Sequence, residues 1–77
     1  MTRVTAAADL TGKKLGVMLS TGPEHPNLGT CLALGSAALD RGAALYLYLI
    51  DDGVASVEDE RIQALARRGA KLFACAY

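Results

Sequence analysis

Two cysteines, one histidine and a few acidic loop residues are the side chains of this sequence best equipped for covalent or acid–base chemistry. Cys75 stands near the end of "KLFACAY", an apolar run that reads as the tail of a buried strand. A thiol at a strand end can face the amide groups of a following turn, which lowers its pKa and exposes a thiolate. It can equally pack as a small hydrophobe, because unpaired cysteine is among the most buried residue types. Cys31 lies in an alanine- and leucine-rich stretch and reads as a packing residue, with a resolving role beside Cys75 as the alternative. His25, between Glu24 and Pro26, can act as a base, hydrogen-bond a sulfur species or shape a proline-rich turn. Asp51 and Asp52 precede Gly53, where acidic residues either form a loop or meet a cation. No CxxC, HExxH or paired-histidine spacing marks a metal site. "STGPEHPNLGT" brings glycines to a helix start without the GxxxxGK[ST] or GxGxxG spacing, so no phosphate-binding cofactor is expected.

These residues need elements to position them. Residues 1–12 are small and polar, a loose lead-in with at most one helical turn. "KKLGVMLS" predicts a buried strand over Leu15 to Ser20, and Pro26 biases His25 away from helix, so a helix starts behind it. Asn27 to Arg41 has helical length, and Gly42 takes the left-handed cap. Leu28, Cys31, Leu32, Gly35, Ala38 and Leu39 share one face, while Leu34 falls outside it. So apolar a helix is expected to be covered on more than one side.

"AALYLYLI" is a second strand, Ala44 to Ile50, without a charge and expected to be buried on both faces. "SVEDERIQALARRG" predicts a second helix, with Ser56 and Asp59 at capping-box-like spacing and Gly69 at its end. A third strand begins near Lys71. The order strand, helix, strand, helix, strand predicts an α/β fold with a parallel, doubly wound sheet in three layers. In such sheets, chemistry gathers beyond the carboxyl ends of the strands. A strand order of 2-1-3 would bring His25 and Cys75 to one rim.

Composition limits the function classes. Seventy-seven residues form a single domain with a thin core. Eight basic and eight acidic side chains cancel, which argues against a nucleic-acid partner. Arg67 and Arg68 read instead as cations at a helix C-terminus. Charges or glycines interrupt every apolar run, so no membrane span is expected. "MTRVTAAADLTGKK" does not read as a secretion signal, and the chain is expected in the cytoplasm with its thiols reduced. A balanced charge beside much apolar surface also suits self-association.

Four features occur in a recognisable order: a first strand running into "STGPEHPN", an alanine-rich helix, "YLYLIDDGV", and "GAKLFACAY" at the third strand. Together, over roughly residues 13 to 77, they resemble the DsrE/DsrF/TusD-like proteins of sulfur relay and sulfur oxidation. The resemblance implies a five-stranded parallel sheet, of which residues 1–77 hold the first three strands and two helices. It further implies a homo- or hetero-oligomer, a trimer or hexamer, acting between sulfur donor and acceptor proteins. Active members carry a cysteine just after the third strand that holds sulfur as a persulfide, and Cys75 matches that position. No cofactor is implied. Other members of the family are non-catalytic subunits that organise the oligomer, and a small-molecule or nucleotide-binding domain is a third reading from fold class alone.

Overall fold

Glycines with left-handed backbone end both helices. Gly42 has φ +90° and Gly69 φ +110°. Behind each helix the chain makes the paired bonds of a Schellman cap: Ala43 N–H to the Ala38 carbonyl with Gly42 to Leu39, and Ala70 to Leu65 with Gly69 to Ala66. The computed structural model describes residues 9–74. In chain order they form β1 (Lys14–Leu19), α1 (Asn27–Asp40), β2 (Ala44–Leu49), a 3₁₀ segment (Asp51–Glu58), α2 (Glu60–Arg67) and β3 (Lys71–Ala74). Strand, helix, strand, helix, strand is the order expected, and all three strands are parallel.

The strand order corrects one expectation. The sheet runs β1-β2-β3, so β2 is central and β1 and β3 do not touch. Both helices lie on the same face. At Gly35 of α1 an added Cβ would come 2.9 Å from Leu45 of β2 and 3.3 Å from Leu65 of α2, so the three elements meet on one side of the sheet. The described residues therefore build two layers, and the expected helical layer on the opposite face is not among them. With right-handed crossovers, the rule for parallel strands, stepping onward in the same direction keeps both connections on one face.

The core follows from this arrangement. Leu19, Leu45, Leu47 and Leu49 point from the sheet toward Leu28 and Cys31 of α1 and Ile62 and Leu65 of α2, and all are buried. The face predicted for α1 is the buried one, with Leu28, Cys31, Gly35 and Ala38 inside. Leu34 is 52% exposed, so α1 is covered on one side only, not on several. β2 is likewise buried on one face: Tyr48 is exposed and Tyr46 half-buried.

The second helix starts later than expected. Asp59, not Ser56, is its N-cap; its carboxylate accepts the Arg61 N–H at 2.9 Å. Residues 51–58 wind as a 3₁₀ segment that packs on the end of β1. At the far end, Arg67 pairs with Glu60 at 2.6 Å, and Arg68 ties α2 to α1 through Asp40 and the Ser36 hydroxyl.

Candidate functional site

The carboxyl ends of the parallel strands form one rim, and three chain segments arrive there. Behind β1, the stretch containing Glu24 and His25 folds into a tight turn. The His25 N–H donates to the Gly22 carbonyl at 3.0 Å, and the His25 carbonyl accepts the Leu28 N–H at 3.1 Å. The imidazole Nδ1 accepts the Asn27 N–H at 3.0 Å. His25 thus shapes the entry into α1, where Pro26 takes the N-cap position and offers no side-chain cap of its own. Both Glu24 and His25 are exposed.

Behind β2, the chain bends at once. Asp51 has φ +49°, an uncommon value for a residue with a side chain. The Ile50 N–H reaches the Leu19 carbonyl at 3.0 Å, and the Gly53 N–H returns to Ile50 at 2.7 Å. Any Cβ on Gly53 would overlap the Leu19 carbonyl, so only glycine lets the 3₁₀ segment lie this close to β1. Ser56 is fully buried in that segment, and its hydroxyl has no hydrogen-bond partner among the described residues.

Ala74 ends β3 at the same rim, and Cys75 follows it in sequence. Cys75 itself lies outside the described residues. The strand order leaves the adjacency argued for His25 without its basis, because β2 separates β1 from β3 by two strand spacings, about 10 Å. The rim segment nearest the end of β3 is the one that starts with Asp51 and Asp52, and β3 does contact the 3₁₀ segment.

Cys31 is placed differently. It is buried under α1, and burial pushes its thiol pKa up, so the thiolate is disfavoured. That fits the packing reading. Cys31 also lines a hollow of about 180 Å³ between Val17, Met18 and Leu19 of β1, Ser20 behind it, and Asn27, Thr30 and Leu34 of α1. The hollow was not anticipated, although the positions 27, 30, 31 and 34 carry its signal, a helical stripe facing the end of a strand. Among the described residues no cluster of three or more His, Cys, Asp or Glu side chains is arranged to hold a metal, and no helix is long and apolar enough to cross a membrane.

Comparison with family models, with curated proteins and with solved structures finds no match to this chain.

Proposed function

We propose that the protein is a sulfur carrier in which Cys75 accepts sulfane sulfur as a persulfide and yields it to a partner thiol. The observation that carries this reading is β3: a parallel strand whose last residue, Ala74, reaches the carboxyl-end rim immediately before Cys75 in sequence. The resemblance to DsrE/DsrF/TusD-like proteins, in which that position holds the persulfide, supports it. The chemistry needs no cofactor. The Cys75 thiolate attacks the outer sulfur of a donor persulfide, R–S–SH; the donor's S–S bond breaks, R–S⁻ leaves, and Cys75 becomes Cys–S–SH. An acceptor thiolate repeats the step in the other direction, taking the sulfur and restoring the Cys75 thiolate.

Asp51 and Asp52 follow β2, the strand paired with β3, and a carboxylate near a thiol opposes its ionisation. Asp52→Asn is therefore expected to speed loading, and His25→Ala to leave it unchanged. Loading is followed by intact mass after incubation with a low-molecular-weight persulfide. Addition of one sulfur per chain that Cys75→Ser abolishes and Cys31→Ser does not is the expected result. Sulfur that survives Cys75→Ser, or none at all, would overturn the proposal.

A second reading has its own observation. The sheet face away from the helices carries Met18, Tyr46, Tyr48 and Phe73, with Met18 68% and Phe73 47% exposed. The rings of Tyr48 and Phe73 stack at 5.1 Å and those of Tyr46 and Phe73 at 6.4 Å, so the patch is continuous across two strands. A bare apolar face of this kind suits a subunit that organises an oligomer. In a DsrE-like fold it is also the face that a third layer would cover.

A further inference from the structure

β1 is an edge strand. β2 occupies one side of it, and among the described residues no strand pairs on the other. The direction of its backbone groups follows from two bonds. The carbonyls of Lys13 and Leu19 accept the Ala44 and Ile50 N–H groups, at 2.9 and 3.0 Å, so odd-numbered residues turn their amides and carbonyls toward β2. With a period of two, Lys14, Gly16 and Met18 turn theirs outward. An unpaired row of this kind is a template for one more strand.

The hollow lies at the carboxyl end of that row, beside Met18. Consecutive strand residues point to opposite faces, yet Val17, Met18 and Leu19 of β1 all line it, which places it against the strand's edge, with Ser20 just behind the strand. Its other wall is the α1 stripe of Asn27, Thr30, Cys31 and Leu34. An enclosed cavity of about 150 Å³ holds a benzene molecule; this hollow, of about 180 Å³, has room for one side chain, and it is open with Ser20, Asn27 and Thr30 adding polar groups to its walls. No charged residue lines the hollow. At the amino end of the same edge stand Lys13 and Lys14, both exposed and in no ion pair among the described residues. Asp9, the carboxylate nearest to them in sequence, is engaged by the Thr11 hydroxyl at 2.6 Å and the Thr11 N–H at 2.9 Å.

We propose that the outer edge of β1 and the flanking stripe of α1 form a strand-acceptor groove for an extended segment of a partner polypeptide. The partner's backbone pairs with Lys14, Gly16 and Met18, one of its apolar side chains fills the hollow over Cys31, and an acidic residue reaches Lys14. Backbone pairing supplies affinity without sequence, while the hollow and Lys14 select the segment. The groove is independent of the chemistry assigned to Cys75.

The probe is a fluorescein-labelled peptide of alternating valine and threonine with a central leucine, ended on both sides by glutamate so that either strand direction is accommodated. Its binding is followed by fluorescence anisotropy, and the protein's amide exchange is measured with and without it. Saturable binding that slows exchange at Lys14, Gly16 and Met18 is expected, with Leu15, Val17 and Leu19 already slow in the unbound protein. Replacing the leucine by aspartate is expected to weaken binding at least tenfold, roughly the loss of a filled apolar site. N-methylating alternate peptide residues, on the edge that meets β1, is expected to abolish it without altering the protein. Thr30→Phe, which fills the hollow from an exposed position, is expected to weaken the peptide while leaving the thermal melt in place. Absence of saturable binding, or binding indifferent to N-methylation, would overturn the groove. So would outward amides that are already slow without peptide, whether in a dimer by light scattering (a second copy is the occupant) or in a monomer (the chain covers its own edge).

Discussion

Ser56 sets an apparent contradiction at the level of a single side chain: a hydroxyl fully buried, with no partner among the described residues. An unpaired buried polar group costs about 1–3 kcal/mol. Ser56→Ala is therefore expected to raise the urea midpoint, by the equivalent of about 1 kcal/mol. Asp59 is the opposite case. Its hydrogen bonds from Arg61 hold its carboxyl below the usual carboxylate range, so the stabilisation it gives is present above that range and fades as the pH falls through the lowered value. Asp59→Ala removes the N-cap of α2 and is expected to lower stability by about 1 kcal/mol at neutral pH. The difference between the two proteins should shrink in acid. Sequence spacing suggested Ser56 as the cap because a carboxylate follows three positions later. The 3₁₀ turn before α2 shifts the start, and no residue pattern announces that turn.

Among the elements, existence and direction were legible while lateral order was not. Each strand and helix is bounded by proline, glycine or charge, and those signals act locally. Which edge receives the third strand depends on whether α2 packs beside α1 or on the opposite face, a choice made by core packing. β2 shows why the choice was hidden. Its sequence, "ALYLYL", alternates leucine with tyrosine, and only the leucines are buried. Both residue types are apolar enough to read as a strand enclosed on two faces, so the one-sided period was masked. α1 was misread in the same way: its buried stripe was legible, but Leu34, outside that stripe, is exposed, so the helix is covered on one side and not on several. One close approach carries a prediction at this scale. Gly53 brings the 3₁₀ segment against the Leu19 carbonyl, and the obstacle is backbone, which cannot rotate aside. Gly53→Ala is expected to cost about 3 kcal/mol in chemical denaturation, at the upper end of overpacking. A variant as stable as the parent would contradict the packing of this segment.

For the molecule as a whole, two of its surfaces lack neighbours among the described residues: the aromatic sheet face and the outer edge of β1. If the aromatic face drives assembly, Phe73→Glu is expected to reduce the mass seen by light scattering while leaving the leucine core, on the opposite face, intact. An unchanged mass would remove the assembly reading. The sulfur-carrier reading rests on a different place, the rim where β3 ends. Sequence located that rim; Cys75, argued to sit beside it, lies outside the described residues, and His25, argued to be its neighbour, belongs to a turn two strands away. The most direct test of the account asks which thiol holds the sulfur. Protein loaded with a persulfide donor is alkylated, digested and mapped by mass spectrometry. The account predicts the extra sulfur on the peptide containing Cys75 and an unmodified Cys31, whose burial disfavours the thiolate. Extra sulfur on Cys31, or on neither peptide, would contradict it.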